Sequence, residues 1–145
     1  MFRFLTVLSF LLGALSPGNT QVFLEWGTLA DVTFSPEYSE EYGIDLMKAE
    51  FGETISQYDS AYVKVTGYMI PIDALGTAYV LSRNPNATCF FCGGAGPETI
   101  VGLRMKPEFV RRYKTDEYLT FAGYLQLNEH NDRSFTYMLR EAERL

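Results

Sequence analysis

Apolar and polar residues alternate in two long segments of this chain, which predicts two strands that are each buried on one face. In residues 61–72, Val63, Val65 and Met69 share one face and mainly polar side chains share the other. Residues 118–127 alternate in the same way and form the clearest strand pattern of the sequence. Because successive side chains of a strand point to opposite sides, this period indicates a sheet with one side against a core.

Shorter apolar segments between turn-forming residues predict three further strands. They span residues 77–82, 99–106 and 134–140. The last of them follows a polar turn at residues 128–132 and is expected to form a hairpin with residues 118–127. One helical turn is predicted at residues 107–113, between the third and fourth strands.

Glycines inside the predicted strands indicate how the sheet closes. Gly67 predicts a bulge or a bend within its strand, and Gly123 predicts a bend. Such bends let a small sheet close on itself, which removes exposed edges. Mixed helical and strand spacing at residues 22–34 predicts a short helix or turn that leads into a short strand. The predicted fold class is therefore mainly β, a small five-stranded OB-like Greek-key barrel with a short N-terminal helical extension.

An acidic segment follows this extension and predicts a solvated helical face. Its carboxylates recur at spacings of three and four: Glu37, Glu40, Glu41 and Asp45. Calcium binding is disfavoured, because calcium loops interleave oxygen ligands around a tight glycine-containing turn.

Residues 1–20 have the order of features found in a signal peptide. A basic start is followed by an apolar run at residues 4–15, a helix-breaking segment, and small residues before Gln21. The run is shorter than the roughly 20 apolar residues that a membrane-spanning helix needs. A buried N-terminal helix would instead show an amphipathic pattern, which is missing here. We expect residues 21–145 to form one mature domain that is periplasmic or secreted.

Composition narrows the classes of partner. The chain is 47% hydrophobic and 21% charged, which is typical of globular domains. Tyr62, Tyr68 and Tyr124 could form a stacking platform for single-stranded nucleic acid, as in other barrels of this type. The net charge of −6 and the lack of a basic cluster along the sequence argue against a polyanionic partner. We expect no nucleic-acid binding and interpret the tyrosines as part of the barrel wall.

Residues 83–98 lie between the second and third predicted strands. The formation of a barrel does not account for the residue types of this segment. The segment contains the two cysteines of the chain, Cys89 and Cys92, in a Cys-x-x-Cys pattern. Residues that shape its backbone path are Gly93, Gly94, Gly96 and Pro97. Such a path would let backbone amides approach a sulfur atom or a bound ion, so this loop is the predicted functional site.

Two interpretations of the cysteine pair need no further residue. A local disulfide suits an oxidising compartment, but closing so short a loop would contribute only about 2 kcal/mol. In a redox interpretation, Cys89 is the exposed attacking thiol and Cys92 the resolving thiol. A redox Cys-x-x-Cys normally opens a helix, however, and the following glycines begin a helix poorly.

The third interpretation is a metal site, with two thiolates in a glycine-rich turn as in zinc ribbons. Zinc takes four ligands, so Cys89 and Cys92 would need partners. The candidate additional ligands are His130, Asp132 and Glu98. A homodimer formed through the loop would alternatively supply four thiolates.

Residues 65–71 and 89–98 resemble domain of unknown function 3299, an uncharacterised family of exported bacterial proteins. The resemblance runs from about Trp26 to the end of the chain and includes residues 123–128. One branch of that family has Cys-x-His in this loop, where this chain has Cys-x-x-Cys. Both patterns supply two soft ligands, so the resemblance favours a metal. Some members of that family occur beside export or metal-uptake transporters. The resemblance therefore implies an accessory role, with a membrane transport complex as the partner.

The sequence therefore predicts an exported, non-enzymatic accessory or binding protein that holds a transition metal, zinc being the candidate, through Cys89 and Cys92. Two alternatives stay open. One is a thiol-disulfide protein that uses the same cysteines, and the other is a structural module that docks on a membrane transport complex.

Overall fold

The computed structural model of this chain describes residues 22–130 and 134–145. Its strands are β1 (Val22–Phe23), β2 (Val32–Ser39), β3 (Ile44–Phe51), β4 (Tyr62–Pro71), β5 (Tyr79–Ser82), β6 (Ile100–Met105), β7 (Tyr118–Leu127) and β8 (Tyr137–Arg144). Its helices are α1 (Trp26–Leu29) and α2 (Glu53–Ser56), and 3-10 turns lie at Asn86–Thr88, Phe90–Cys92, Pro97–Thr99 and Pro107–Phe109. The predicted signal peptide at residues 1–20 lies outside the described residues.

Five strands in the described part of the chain close into a barrel. Around the barrel the order is β4, β5, β6, β8, β7 and back to β4. The β6–β8 pair is parallel, and the other four pairs are antiparallel. Because β7 lies between β8 and β4 rather than beside β6, the connections form a Greek key. The predicted mainly β, five-stranded OB-like barrel is therefore confirmed.

Inward-facing side chains of β4 and β7 build much of the core. Val63, Val65 and Met69 are fully buried, as the alternation along β4 predicts. Phe121 and Leu125 of β7 are buried in the same cluster. Burial of a side chain of this size contributes roughly 1.5–3 kcal/mol, so these five side chains stabilise the barrel substantially.

The predicted N-terminal helical extension is α1, which is tied to two barrel strands. Leu29 of α1 is fully buried, and its carbonyl oxygen accepts a 2.7 Å hydrogen bond from the Tyr137 hydroxyl of β8. Trp26 Nε1 donates to the Thr66 carbonyl oxygen of β4 at 2.8 Å. Burial raises the pKa of the Tyr137 hydroxyl, so the donor keeps its proton.

The two strand glycines have different structural roles. β4 pairs with β7 along its first part and with β5 from Tyr68 onward. Gly67 lies at this change of partner, where a Cβ atom would come within 2.7 Å of the Ser82 carbonyl oxygen. Pairing is regular at Gly67, so the position is a bend with a close backbone approach rather than a bulge. At Gly123, where the sequence predicts a bend, the register between β7 and β8 shifts and forms a bulge.

The predicted acidic helix is wrong. Its residues lie on the β2–β3 hairpin or its turn: Glu37, Glu40, Glu41 and Asp45. Glu37 is opposite Leu46 and Tyr38 is opposite Asp45, so Glu37 and Asp45 point to opposite faces of the hairpin. Charge spacing alone carries no information about backbone pairing. The cross-strand hydrogen bonds of a regular antiparallel ladder decided the conformation of this segment.

Candidate functional site

The cysteine loop (residues 83–98) connects β5 to β6 and is anchored at its ends. The Arg83 amide donates to the Thr99 carbonyl oxygen at 2.9 Å, which extends the β5–β6 pairing into the loop. The Asn86 amide donates to Asp116 Oδ1 at 2.7 Å, which ties the loop to the segment before β7. Between these anchors the backbone follows consecutive 3-10 turns.

The two cysteines lie at opposite sides of one 3-10 turn and differ in exposure. Cys89 is fully buried, whereas Cys92 is exposed. The Cys89 carbonyl oxygen accepts hydrogen bonds from the amides of Cys92 and Gly94, at 3.2 Å and 3.3 Å. The Cys92 thiol donates to the Asn86 carbonyl oxygen at 3.3 Å. Both side chains are free thiols in this structure.

The predicted loop-shaping residues follow directly after Cys92. Gly93 has φ +73°, a left-handed conformation that L side chains rarely adopt. The Gly96 carbonyl oxygen accepts hydrogen bonds from the amide and the hydroxyl of Thr99, and Pro97 begins the third 3-10 turn of the loop. The chain therefore reverses immediately after Cys92 and returns to the barrel through a second tight turn.

Two adjacent phenylalanines of the loop have different surroundings, one against the barrel and the other partly in solvent. Phe90 packs against the loop-base cluster, which consists of Ile70, Val80 and Ile100. Phe91 contacts both Phe90 and Phe135, with ring centroids 5.6 Å and 6.2 Å apart. Phe91 is nevertheless 49% exposed, so the loop presents an apolar surface beside the Cys92 thiol.

The candidate additional ligands are not gathered around the cysteines in the described residues. His130 Nε2 lies 2.7 Å from Glu37 Oε2 at the β2–β3 hairpin, and Lys48 Nζ lies 3.2 Å from the other oxygen of the same carboxylate. Hydrogen bonds from His130 and Lys48 hold the pKa of Glu37 below its ordinary value. Glu98 is half-buried in its 3-10 turn, and Asp132 lies outside the described residues. Residues 22–130 and 134–145 contain no group of three or more His, Cys, Asp or Glu side chains placed to hold a metal ion.

The redox interpretation takes Cys89 as the exposed thiol, and this assignment is wrong. A redox motif at the start of a long helix would expose the first thiol, but here the helical segment is only the three-residue turn Phe90–Cys92. Phe90 packs against the loop-base cluster, and the adjacent Cys89 is buried beside it. Cys92 faces solvent because the chain reverses at Gly93.

The structure also brings together basic residues that sequence reasoning missed. Arg104 of β6 and Arg140 of β8 are register partners on adjacent parallel strands. A groove of about 480 Å³ lies beside them; its lining residues are Arg104, Met105, Lys106, Pro107, Arg140 and Glu141. The two segments are far apart in the sequence, so only the β6–β8 pairing reveals this basic cluster.

Comparison with protein-family models, curated proteins and solved structures finds no match for this chain. The resemblance to domain of unknown function 3299 therefore stays a prediction. In the portion of the chain that the structure describes, no helix combines the length and apolar character needed to cross a membrane.

Proposed function

We propose that this chain is an exported, non-enzymatic accessory or binding protein, and that its cysteine loop binds a transition metal ion through Cys89 and Cys92. The observation that carries the proposal is the tight turn that bears both thiols and ends at left-handed Gly93. Thiolate ligands favour soft or borderline ions such as Zn²⁺ and Cu⁺. The expected partner, a membrane transport complex, stays a prediction from the family resemblance.

Each cysteine would have a distinct part in metal binding. Cys92 is exposed and would meet the ion first, while Cys89 would become a ligand after a local opening of the turn. Both thiols must lose a proton to become ligands, so binding would release protons and weaken as the pH falls. Additional ligands would come from a second copy of the chain or from a partner, with the exposed Phe91 ring as an adjoining contact surface.

Metal content of the exported protein tests this proposal. The full chain is expressed, and the exported product is purified under reducing conditions for elemental analysis. We expect near-stoichiometric zinc or copper, which Cys92→Ser and Cys89→Ser each remove. His130→Asn is the matched control, because His130 pairs with Glu37 at the β2–β3 hairpin. Protein that contains no metal, or a Cys92→Ser variant that retains it, would exclude the proposed metal site.

Thiol-disulfide exchange is a second candidate, favoured by the unequal exposure of the two thiols. Cys92 would attack a disulfide of a partner protein, and the resulting mixed disulfide would be resolved by Cys89. The Cys89 and Cys92 thiols would lose two protons and two electrons, and the partner disulfide would be reduced to two thiols. A reduction potential near that of thioredoxin, with exchange lost in Cys92→Ser, is expected if this chemistry operates.

A further inference from the structure

Four side chains form a continuous row across the outside of the barrel, away from the cysteine loop. Arg104 of β6 is opposite Arg140 of β8, which is opposite Tyr124 of β7, which is opposite Tyr62 of β4. Arg104, Arg140 and Tyr124 are exposed, and Tyr62 is partly exposed. Register partners share one face of a sheet, and the two register shifts lie just beyond this row, after Arg104 and at Gly123. The row therefore presents two guanidinium groups beside two phenol rings.

Among the residues that the structure describes, no carboxylate lies within ion-pair distance of Arg104 or Arg140. Neither Arg104 nor Arg140 makes an ion pair or a side-chain hydrogen bond with another described residue. Like charges directly opposite each other across a sheet destabilise the fold. An anion that binds between two such charges reduces their repulsion. Each guanidinium can also donate two hydrogen bonds to one oxyanion.

Cations outnumber carboxylates among the residues that line the groove beside the arginines. Lys106 and Glu141 line the same groove, and Glu143 pairs with Lys106 at 2.6 Å. Glu108 is a further carboxylate close to Lys106. The charged lining residues are therefore three cations and one carboxylate, and Glu143 and Glu108 lie beside Lys106 rather than in an ion pair with either arginine. This excess of cations belongs to the groove lining, since the whole chain carries a net charge of −6.

A ring contact and a hydrogen bond fix the positions of the two tyrosines in the row. The Tyr62 and Tyr124 rings meet edge to face, with centroids 5.1 Å apart, and the Tyr62 hydroxyl donates to Glu143. Tyr124 is 42% exposed and lines a second hollow of about 260 Å³ together with Ser60, Leu125 and Arg140. Arg140 therefore lines both the groove and the hollow that contains Tyr124.

We propose that this row binds a small ring-bearing anion, a sugar that carries a phosphate or a carboxylate group. The anionic group lies between Arg104 and Arg140, and the sugar ring packs against Tyr124 in the adjoining hollow. A long polyanion such as nucleic acid is disfavoured because the whole chain carries a net charge of −6. This inference is independent of the chemistry proposed for the cysteine loop.

Isothermal titration of the full chain with four probes tests the proposal. Glucose 6-phosphate and glucuronate carry the two candidate anionic groups, glucose is the neutral ring, and inorganic phosphate is the anion without a ring. We expect at least one charged sugar to bind about tenfold more tightly than glucose and than inorganic phosphate. Which charged sugar binds better distinguishes the phosphate from the carboxylate ligand.

Variants identify the residues that make the contacts. We expect Arg140→Gln and Arg104→Gln each to weaken binding of the charged sugar by about tenfold or more, and Tyr124→Ala to weaken it toward the affinity of inorganic phosphate. Arg111→Gln is the control, since Arg111 is exposed and lies over the Tyr113 ring outside the row.

A thermal-shift measurement distinguishes a loss of ligand binding from a folding defect in the variants. Without ligand, Arg140→Gln should unfold at the wild-type temperature or above, because the charge repulsion is relieved. The charged sugar should raise the unfolding temperature of the wild type and not that of the variant. Absence of binding by both charged sugars, or wild-type affinity in both arginine variants, would each overturn the proposal.

Discussion

Cys89 is fully buried and Cys92 is exposed, although a single 3-10 turn connects them. The loop-base cluster below Phe90 holds the first cysteine inside, and the reversal at Gly93 leaves the second one in solvent. This relationship gives the two thiols different chemical access whichever reaction the loop performs.

Alkylation of the native, reduced protein should therefore be selective. We expect iodoacetamide to label Cys92 rapidly and Cys89 only after unfolding, because reagent access to a buried thiol requires local opening. Peptide mass spectrometry over time measures both rates. Cys92→Ser is the matched control and should show almost no labelling while folded. Equal labelling of the two cysteines in native wild-type protein would contradict the described loop.

Gly67→Ala should destabilise the barrel by about 1–3 kcal/mol, the usual cost of overpacking. The new methyl group would come within 2.7 Å of the Ser82 carbonyl oxygen, and neither backbone can move without disturbing the change of partner along β4. Urea unfolding measures the difference. Gly27→Ala is the control, because a Cβ atom there meets nothing within 4 Å. An unchanged unfolding free energy for Gly67→Ala would show that the strands can separate at this point.

Asp31→Ala should destabilise the protein by about 1 kcal/mol through the loss of a helix cap. Asp31 Oδ2 accepts hydrogen bonds from the amides of Thr54 and Ile55, at 2.9 Å and 3.3 Å, at the beginning of α2. Ile55 is fully buried, so fraying of α2 would also loosen the core. Thermal unfolding compares this variant with Asp31→Asn, which keeps an acceptor oxygen and should lose less stability. Equal losses in the two variants would argue against capping.

Acid stability should depend on Glu143. Hydrogen bonds from Lys106 and Tyr62 lower the pKa of this carboxyl below its ordinary value of 4.5. Its stabilising contribution is therefore fully present above pH 4.5 and is lost as the pH falls below that value, through the pKa of the folded state. We expect Glu143→Gln to be less stable near neutral pH and to lose less stability on acidification.

Urea unfolding at about pH 7, pH 5 and pH 3 measures this dependence. Glu25→Gln is the control, because Glu25 is exposed and makes no ion pair with another described residue. Its stability should decline with pH as in the wild type. Parallel pH profiles for Glu143→Gln and the wild type would refute the role of this carboxylate.

The local pattern of the sequence was sufficient to predict most barrel strands. Residues 118–127 were predicted as a strand and coincide with β7, because every second side chain there faces the core. The β2–β3 hairpin was missed, since the carboxylate spacing at residues 37–45 suggested a helix that the backbone pairing excludes. Side-chain spacing predicts an element only when it reflects burial, and these carboxylates lie at the surface.

The cysteine loop was located from its residue types, but its geometry was not predicted. Which thiol is exposed depends on where Phe90 packs, and the loop-base cluster that receives Phe90 comes from β4, β5 and β6. The pairing of Arg104 with Arg140 likewise required the parallel contact between the third and fifth barrel strands.

The order of amino acids alone determined the period of two along the barrel strands, the positions of their glycines and the place of the cysteine pair in a connecting loop, because these are properties of neighbouring residues. The assembled barrel decided the burial of Cys89 and the meeting of Arg104, Arg140 and Tyr124. Those features depend on register between strands that are distant along the chain, and the register is set by the packing of the whole core.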